Sequence, residues 1–157
     1  VTYPVFTAIA APEVQNKLNG DFAIIAGPYL QNLATGGCEL DYTLTFVSEK
    51  FISMVFFGVL DEGEKEIFAK IPLNIDVQTG AQLALGDVLN LRDADLLPVL
   101  RLLTKKDMVD FSKGIPESWY YNGTNFVFCQ RSETGEWLEA TVAASDLKKF
   151  LLKPELF

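Results

Sequence analysis

Ile67–Asn90 reads IFAKIPLNIDVQTGAQLALGDVLN, and the rest of the chain is organised around it. Ile67, Ala69, Ile71, Leu73, Ile75 and Val77 alternate with Phe68, Lys70, Pro72, Asn74 and Asp76. That period of two predicts one long strand with an apolar face. Pro72 lacks a ladder donor, so it belongs at a bulge or an edge. Gln78-Thr79-Gly80 predicts a reversal, with Gly80 free to take positive φ. Leu83 and Leu85 predict a short strand, and Asp87 an N-cap for a brief helical turn.

Upstream, Phe51–Leu60 is apolar on both phases, as expected of a central strand covered on both sides. Leu40, Tyr42, Leu44 and Phe46 alternate with Asp41, Thr43 and Thr45, which predicts a half-buried strand. The three strands follow one another through short polar connections, including the charged loop Asp61–Glu66, so an antiparallel meander is the simplest topology. Before them, Val14, Leu18, Phe22, Ile25 and Tyr29 form a helical stripe that starts after Pro12. Gly27-Pro28 is expected to kink or end that helix, and Gly36-Gly37 to stop it. Val1–Phe6 reads as an opening strand, irregular at Pro4.

Downstream, Asp95 is expected to cap a helix with Pro98 in its first turn and Leu97, Leu100, Thr104, Met108 and Phe111 on one face. Gly114 and Pro116 would end it. SWYYNGTNFVFC, Ser118–Cys129, predicts a hairpin whose Asn122-Gly123 pair suits a type I′ turn. A strand at Trp137–Ala144 and a final helix capped by Ser145 or Asp146, with Leu147, Phe150 and Leu151, complete the chain. The prediction is an α+β domain, an antiparallel meander with helices packed on it, in the order β-α-β-β-β-α-β-β-β-α. One domain accounts for all 157 residues.

Composition excludes several chemistries. There are 13 basic and 21 acidic residues, a net charge of −8, which opposes nucleic acid and disfavours anionic membranes. With no histidine the chain lacks the commonest general base and metal ligand. No Gly-rich phosphate loop, nucleophile elbow or metal-ligand pattern is present, no cofactor is implied, and no apolar run is long enough to span a membrane. Cys38 and Cys129 form either one disulfide or two buried thiols. Trp119, Tyr120, Tyr121 and Trp137 are the candidate binding residues, since aromatic rings stack on sugars or anchor protein partners. Alternation puts Trp119 and Tyr121 on one face and Tyr120 on the other. Asp61, Glu62, Glu64 and Glu66 read as a solvated loop tip without EF-hand spacing, and Asp76 with Thr79-Gly80 as turn chemistry. Asp107 and Asp110, beside Lys105 and Lys106, read as a solvated helix face.

Asn74-Ile75-Asp76-x-x-Thr79-Gly80-x-x-Leu83-x-Leu85-x-Asp87-Val88-Leu89 resembles the strand-turn-helix signature of domain-of-unknown-function family 3298, found in RsiV/PdaC-type extracytoplasmic proteins with its companion family 4163. Looser matches follow in order: Tyr3-Pro4, Leu18-Asn19, Phe51–Met54, Tyr120-Tyr121 with Phe126–Phe128, and Leu147. On this resemblance residues 1–60 are like family 4163 and 61–157 like family 3298, folded together. Relatives often carry an Ala-Pro-rich segment before the final strand; here the short turn Arg131–Gly135 stands in its place. The resemblance implies a non-catalytic recognition or sensor domain of the bacterial cell envelope, secreted or tethered through a preceding segment. Its partner would be a lysozyme-like protein or a cell-wall glycan. That setting favours a Cys38–Cys129 disulfide. The alternatives are an accessory module of a peptidoglycan deacetylase and a small carboxylate-dependent glycan hydrolase.

Overall fold

The apolar run at Phe51 proves to be the centre of the molecule. The computed structural model of the chain describes residues 1–7, 9, 11–32, 37–61 and 66–157. It begins with α1 (Pro12–Asn32), followed by β1 (Cys38–Val47), β2 (Phe51–Asp61), β3 (Glu66–Asp76) and the short β4 (Ala81–Gln82). These four strands form one antiparallel sheet in sequence order. Two short helices follow, α2 (Leu85–Val88) and α3 (Leu96–Leu103). Then β5 (Ser118–Tyr121), β6 (Asn125–Arg131) and β7 (Trp137–Ala143) make a second antiparallel sheet. The architecture is α+β, with the expected meander divided into two sheets.

Each face of β2 has its own core. Ile52, Met54 and Phe56 point to α1, where Val14, Leu18, Phe22, Ala26 and Tyr29 cover them. Phe51 points the other way, into a core shared with Trp119, Tyr121 and Phe126 of the second sheet and with Leu85, Leu96 and Leu100. Tyr29 closes the first core by lying flat over Gly58, where a Cβ would stand 2.1 Å from the Tyr29 hydroxyl. Only glycine fits beneath that ring.

Polar side chains join the two sheets. Ser53 and Asn74 are opposite partners on β2 and β3, and both are fully buried. The Ser53 hydroxyl donates to Asn74 Oδ1 at 2.7 Å and accepts the Tyr121 N–H at 2.8 Å. Asn74 Nδ2 donates to the Trp119 carbonyl at 2.7 Å, and Thr45 Oγ1 to the Tyr121 carbonyl at 2.7 Å. Side chains of the first sheet thus satisfy backbone groups of β5 that would otherwise be buried without partners. The signature residue Asn74 has a structural purpose: it docks one sheet on the other.

The Ile67–Asn90 stretch behaves as expected at its turn. Asp76 Oδ1 accepts the N–H groups of Gln78 and Thr79, and Gly80 has φ +65°. Gly80 also packs on α1: its carbonyl accepts Lys17 Nζ at 2.8 Å, and a Cβ there would meet Val14 at 3.0 Å. Asp87 differs from expectation. Ala84 is the N-cap of α2, and the Asp87 carboxylate reaches back from the third position to accept the Ala84 N–H at 2.8 Å. Pro72 sits in β3, which pairs with β4 only at Ile75 and Asp76, so it lies on what is elsewhere an edge strand.

Other departures have local causes. Val1–Phe6 forms no strand; Thr2 donates to the Leu40 carbonyl, while the Asn19 side chain takes both the N–H and the C=O of Phe6. A side-chain amide thereby replaces a partner strand. A bulge between Leu44 and Phe46 turns Phe46 off the α1 face and into the second core, against Phe51 and Tyr121. Helix α1 runs through Pro28 to Asn32. Burying Tyr29 one residue later offsets a hydrogen bond lost near the helix end. Helix α3 stops at Leu103, because the Thr104 hydroxyl bonds back to the Leu100 carbonyl and Arg101 holds the Phe111 carbonyl across the helix end. Val109 and Phe111 then fill the core, and Met108 is 72% exposed. The hairpin at Asn122 is no type I′ turn: Gly123 alone has positive φ, and Asn122 Oδ1 accepts the Thr124 and Asn125 N–H groups. The final helix is a 3-10 segment, Ala144–Phe150, with no side-chain cap from Ser145 or Asp146. Gly36, Glu62 and Glu64, singled out in the sequence, lie outside the described residues.

Candidate functional site

The second sheet covers only part of the first. On the face of β2 and β3 turned toward it, the cross-strand rows are Ser53 with Asn74, Val55 with Pro72, Phe57 with Lys70, and Val59 with Phe68. The first row lies under β5. The last two are open, leaving Phe57 44% and Phe68 53% exposed. Trp137, at the start of β7, forms the opposite wall. Together they line an open cleft of about 620 Å³, with Thr2, Glu39, Asp41 and Lys70 at its margins. A strand that is apolar on both phases has therefore been covered on both faces for half its length only.

Lys70 closes the end of the cleft nearest the joint. Its ammonium lies 5.5 Å from the ring centroids of both Phe57 and Tyr120 and forms an ion pair with Glu139 on β7. Tyr120 Oη donates to the same carboxylate oxygen at 3.0 Å, and the Cys129 thiol approaches it at 3.7 Å. Glu139 thus gathers three donors from β3, β5 and β6. Burial, then the bond to Glu139 and its negative charge, push the Tyr120 phenol well above its usual range. Burial is also the main cause that raises the Cys129 thiol to about 12; Lys70 opposes this and Glu139 adds to it. At neutral pH both groups stay protonated and act as donors. The cluster fixes the second sheet against the cleft floor and holds the cation between two rings.

The predicted aromatic quartet divides. Trp119 and Tyr121 are core residues. Trp119 stacks between Phe51 and Phe126 at centroid separations of 6.4 and 5.5 Å, and Tyr121 meets Phe46 and Phe157 edge-on. Tyr120 and Trp137 lie on the other face of the second sheet, toward the cleft. The Trp137 indole N–H is buried without a hydrogen-bond partner among the described residues. Cys38 and Cys129 are free thiols, the first half-buried and the second buried. Cys38 donates to the Tyr29 carbonyl at the end of α1, whereas Cys129 faces Glu139 in the second sheet. Asp110 caps the 3-10 turn Phe111–Lys113 through the Ser112 N–H; hydrogen bonding with the Ser112 side chain, then with that N–H, holds its carboxyl below the usual range.

Sequence reading missed Phe57, Phe68, Lys70 and Glu139. Their signal was a bulky aromatic, Phe68, on the polar phase of an alternating strand. No helix among the described residues is long and apolar enough to cross a membrane.

An α+β domain of two docked sheets with a half-open aromatic face is thus defined by geometry alone. Its fold is that of domain-of-unknown-function family 3298. The crystal structure of a family member from Pseudomonas aeruginosa PAO1 superposes with a TM-score of 0.62 at 13% identity, covering 92% of this chain and 83% of that one. A second member, from Bacteroides fragilis NCTC 9343, gives 0.56 at 13% identity over 89% of this chain and 66% of its own. No family model and no curated protein matches the sequence.

Proposed function

We propose that the chain is a non-catalytic recognition or sensor domain of the bacterial cell envelope. It binds a lysozyme-like protein or a cell-wall glycan through the aromatic cleft. The observation that carries the reading is the uncovered half of the β2–β3 face. Phe57 and Phe68 expose large apolar area beside Trp137, on a floor held rigid by Lys70 and Glu139. Exposed adjoining aromatics in a concave site favour a ligand with flat apolar faces. The family fold, seen in proteins from two bacteria, supports the bacterial assignment. The extracytoplasmic setting rests on the resemblance of the Asn74–Leu89 motif. An accessory role beside a peptidoglycan deacetylase uses the same surface in the same way.

The test is binding of the purified chain to immobilised lysozyme and to purified peptidoglycan, with Phe57→Ser/Phe68→Ser alongside. Retention of the parent and loss by the variant supports the reading; equal retention of both removes the cleft from it. A second reading, a carboxylate-dependent glycan hydrolase, draws on Glu39 and Asp41, which stand exposed at the cleft margin. Release of soluble glycan by the parent, abolished in Glu39→Gln/Asp41→Asn, would replace the binding proposal by this one.

A further inference from the structure

The end of α3 carries a feature that the cleft does not use. Leu102, Leu103 and Met108 are 66%, 42% and 72% exposed, and they sit around one turn. The turn is closed by the Asp107 N–H to the Thr104 carbonyl at 2.8 Å. It is rooted from beneath by buried Leu100, Thr104, Val109 and Phe111. Between the apolar residues stand Lys105 and Lys106, both exposed and without an ion-pair partner among the described residues. Over residues 101–110 the formal charge is +1, from Arg101, Lys105 and Lys106 against Asp107 and Asp110, whose carboxylates accept the Thr141 and Ser112 N–H groups. Arg101, one turn back, is held on the Phe111 carbonyl.

Three bulky apolar side chains on a rigid turn, interleaved with two unpaired lysines, match a surface that is apolar within and anionic outside. We propose that the Leu102–Met108 turn is a shallow insertion site for an anionic lipid bilayer. Leu102, Leu103 and Met108 enter the acyl boundary, while Lys105 and Lys106 meet lipid phosphates. The net charge of −8 does not forbid this, because charges beyond roughly 10 Å are screened at ordinary ionic strength and the turn presents its own local sign. The anchor is weak and reversible, and it orients the cleft relative to the membrane.

The assay is co-sedimentation of the full chain with phosphatidylcholine vesicles, with and without phosphatidylglycerol. Binding to the anionic vesicles is expected, and it weakens as salt is added. Lys105→Gln/Lys106→Gln lowers that partition about thirty-fold. Leu102→Ser/Met108→Ser lowers it by about tenfold or more. Thermal melts establish that each variant is folded, and Phe57→Ser/Phe68→Ser should bind vesicles as the parent does. No sedimentation with anionic vesicles overturns the proposal. So does equal sedimentation of the parent and the lysine variant, or concentration-dependent self-association through the turn in place of vesicle binding.

Discussion

Replacing Asn74 by leucine tests whether the two sheets are held together as described. The side chains are similar in size, so the change leaves the shape of the joint largely intact and removes its polarity. Two groups lose their partners: the Trp119 carbonyl, which accepted Asn74 Nδ2, and the Ser53 hydroxyl, which donated to Asn74 Oδ1. Both lie at a site where Ser53 is 0% and Asn74 2% exposed, so water cannot take over without opening the joint. Each buried unsatisfied group costs about 1–3 kcal/mol, which gives about 2–6 kcal/mol in all. A domain of this size has about 5–15 kcal/mol of stability, so Asn74→Leu should lower the urea midpoint severely and could leave the second sheet detached. Ser53→Ala should cost about as much, since it orphans both the Tyr121 N–H and Asn74 Oδ1. The double variant should cost less than the sum of the singles, because both act on one network. Equilibrium urea unfolding of the four proteins measures this. If Asn74→Leu lies within about 0.5 kcal/mol of the parent, the docking role is wrong.

Gly58→Ala should destabilise by about 1–3 kcal/mol through collision with the Tyr29 ring. Tyr29→Phe should not rescue it, because the ring carbon behind the hydroxyl is itself 2.4 Å from the new Cβ; thermal melts of the single and double variants decide. Gly80→Ala, forced into φ +65° and against Val14, should cost about 1–2 kcal/mol in denaturant titration. The thiol of Cys129 is raised from 9.0 to about 12, so the folded state holds its proton more tightly than the unfolded state does. The resulting stability is complete below about pH 9 and is lost as pH rises toward 12, with Tyr120 adding a decline in the same direction. Cys129→Ala should flatten the fall in melting temperature over that window, and an unchanged slope counts against it. Titration of thiols in denaturant without reductant should find two per chain; none would mean that Cys38 and Cys129 are bridged.

Much of the fold was legible because period and turn chemistry agree over Ile67–Asn90. The Asp76–Gly80 turn follows from residue type, two of the long strands from alternation and the third, Phe51–Leu60, from its unbroken apolar run. Long-range geometry was not legible. Phe46 reads as the fourth member of an apolar phase, and only the bulge, which follows from packing against Phe51, reverses it. Val1–Phe6 has strand-like residues, but the amide of Asn19 takes the bonds a strand would make. The aromatic quartet shows the same limit at the site. Alternation separates Tyr120 from Trp119 and Tyr121, yet it does not say which face a second sheet will cover. Phe57 looks like a core residue and Phe68 like the odd member of a polar phase, and both become a surface because β5 is only four residues long and stops short of them.

The partition of the two tryptophans gives the molecule a built-in pair of optical probes. Trp119 is enclosed between Phe51 and Phe126, and its emission will report whether the sheets are docked. Trp137 stands on the cleft wall, so quenching of its emission by acrylamide will report occupancy. With one indole replaced by phenylalanine at a time, folding and ligand binding become separable signals in one cuvette, without any added label.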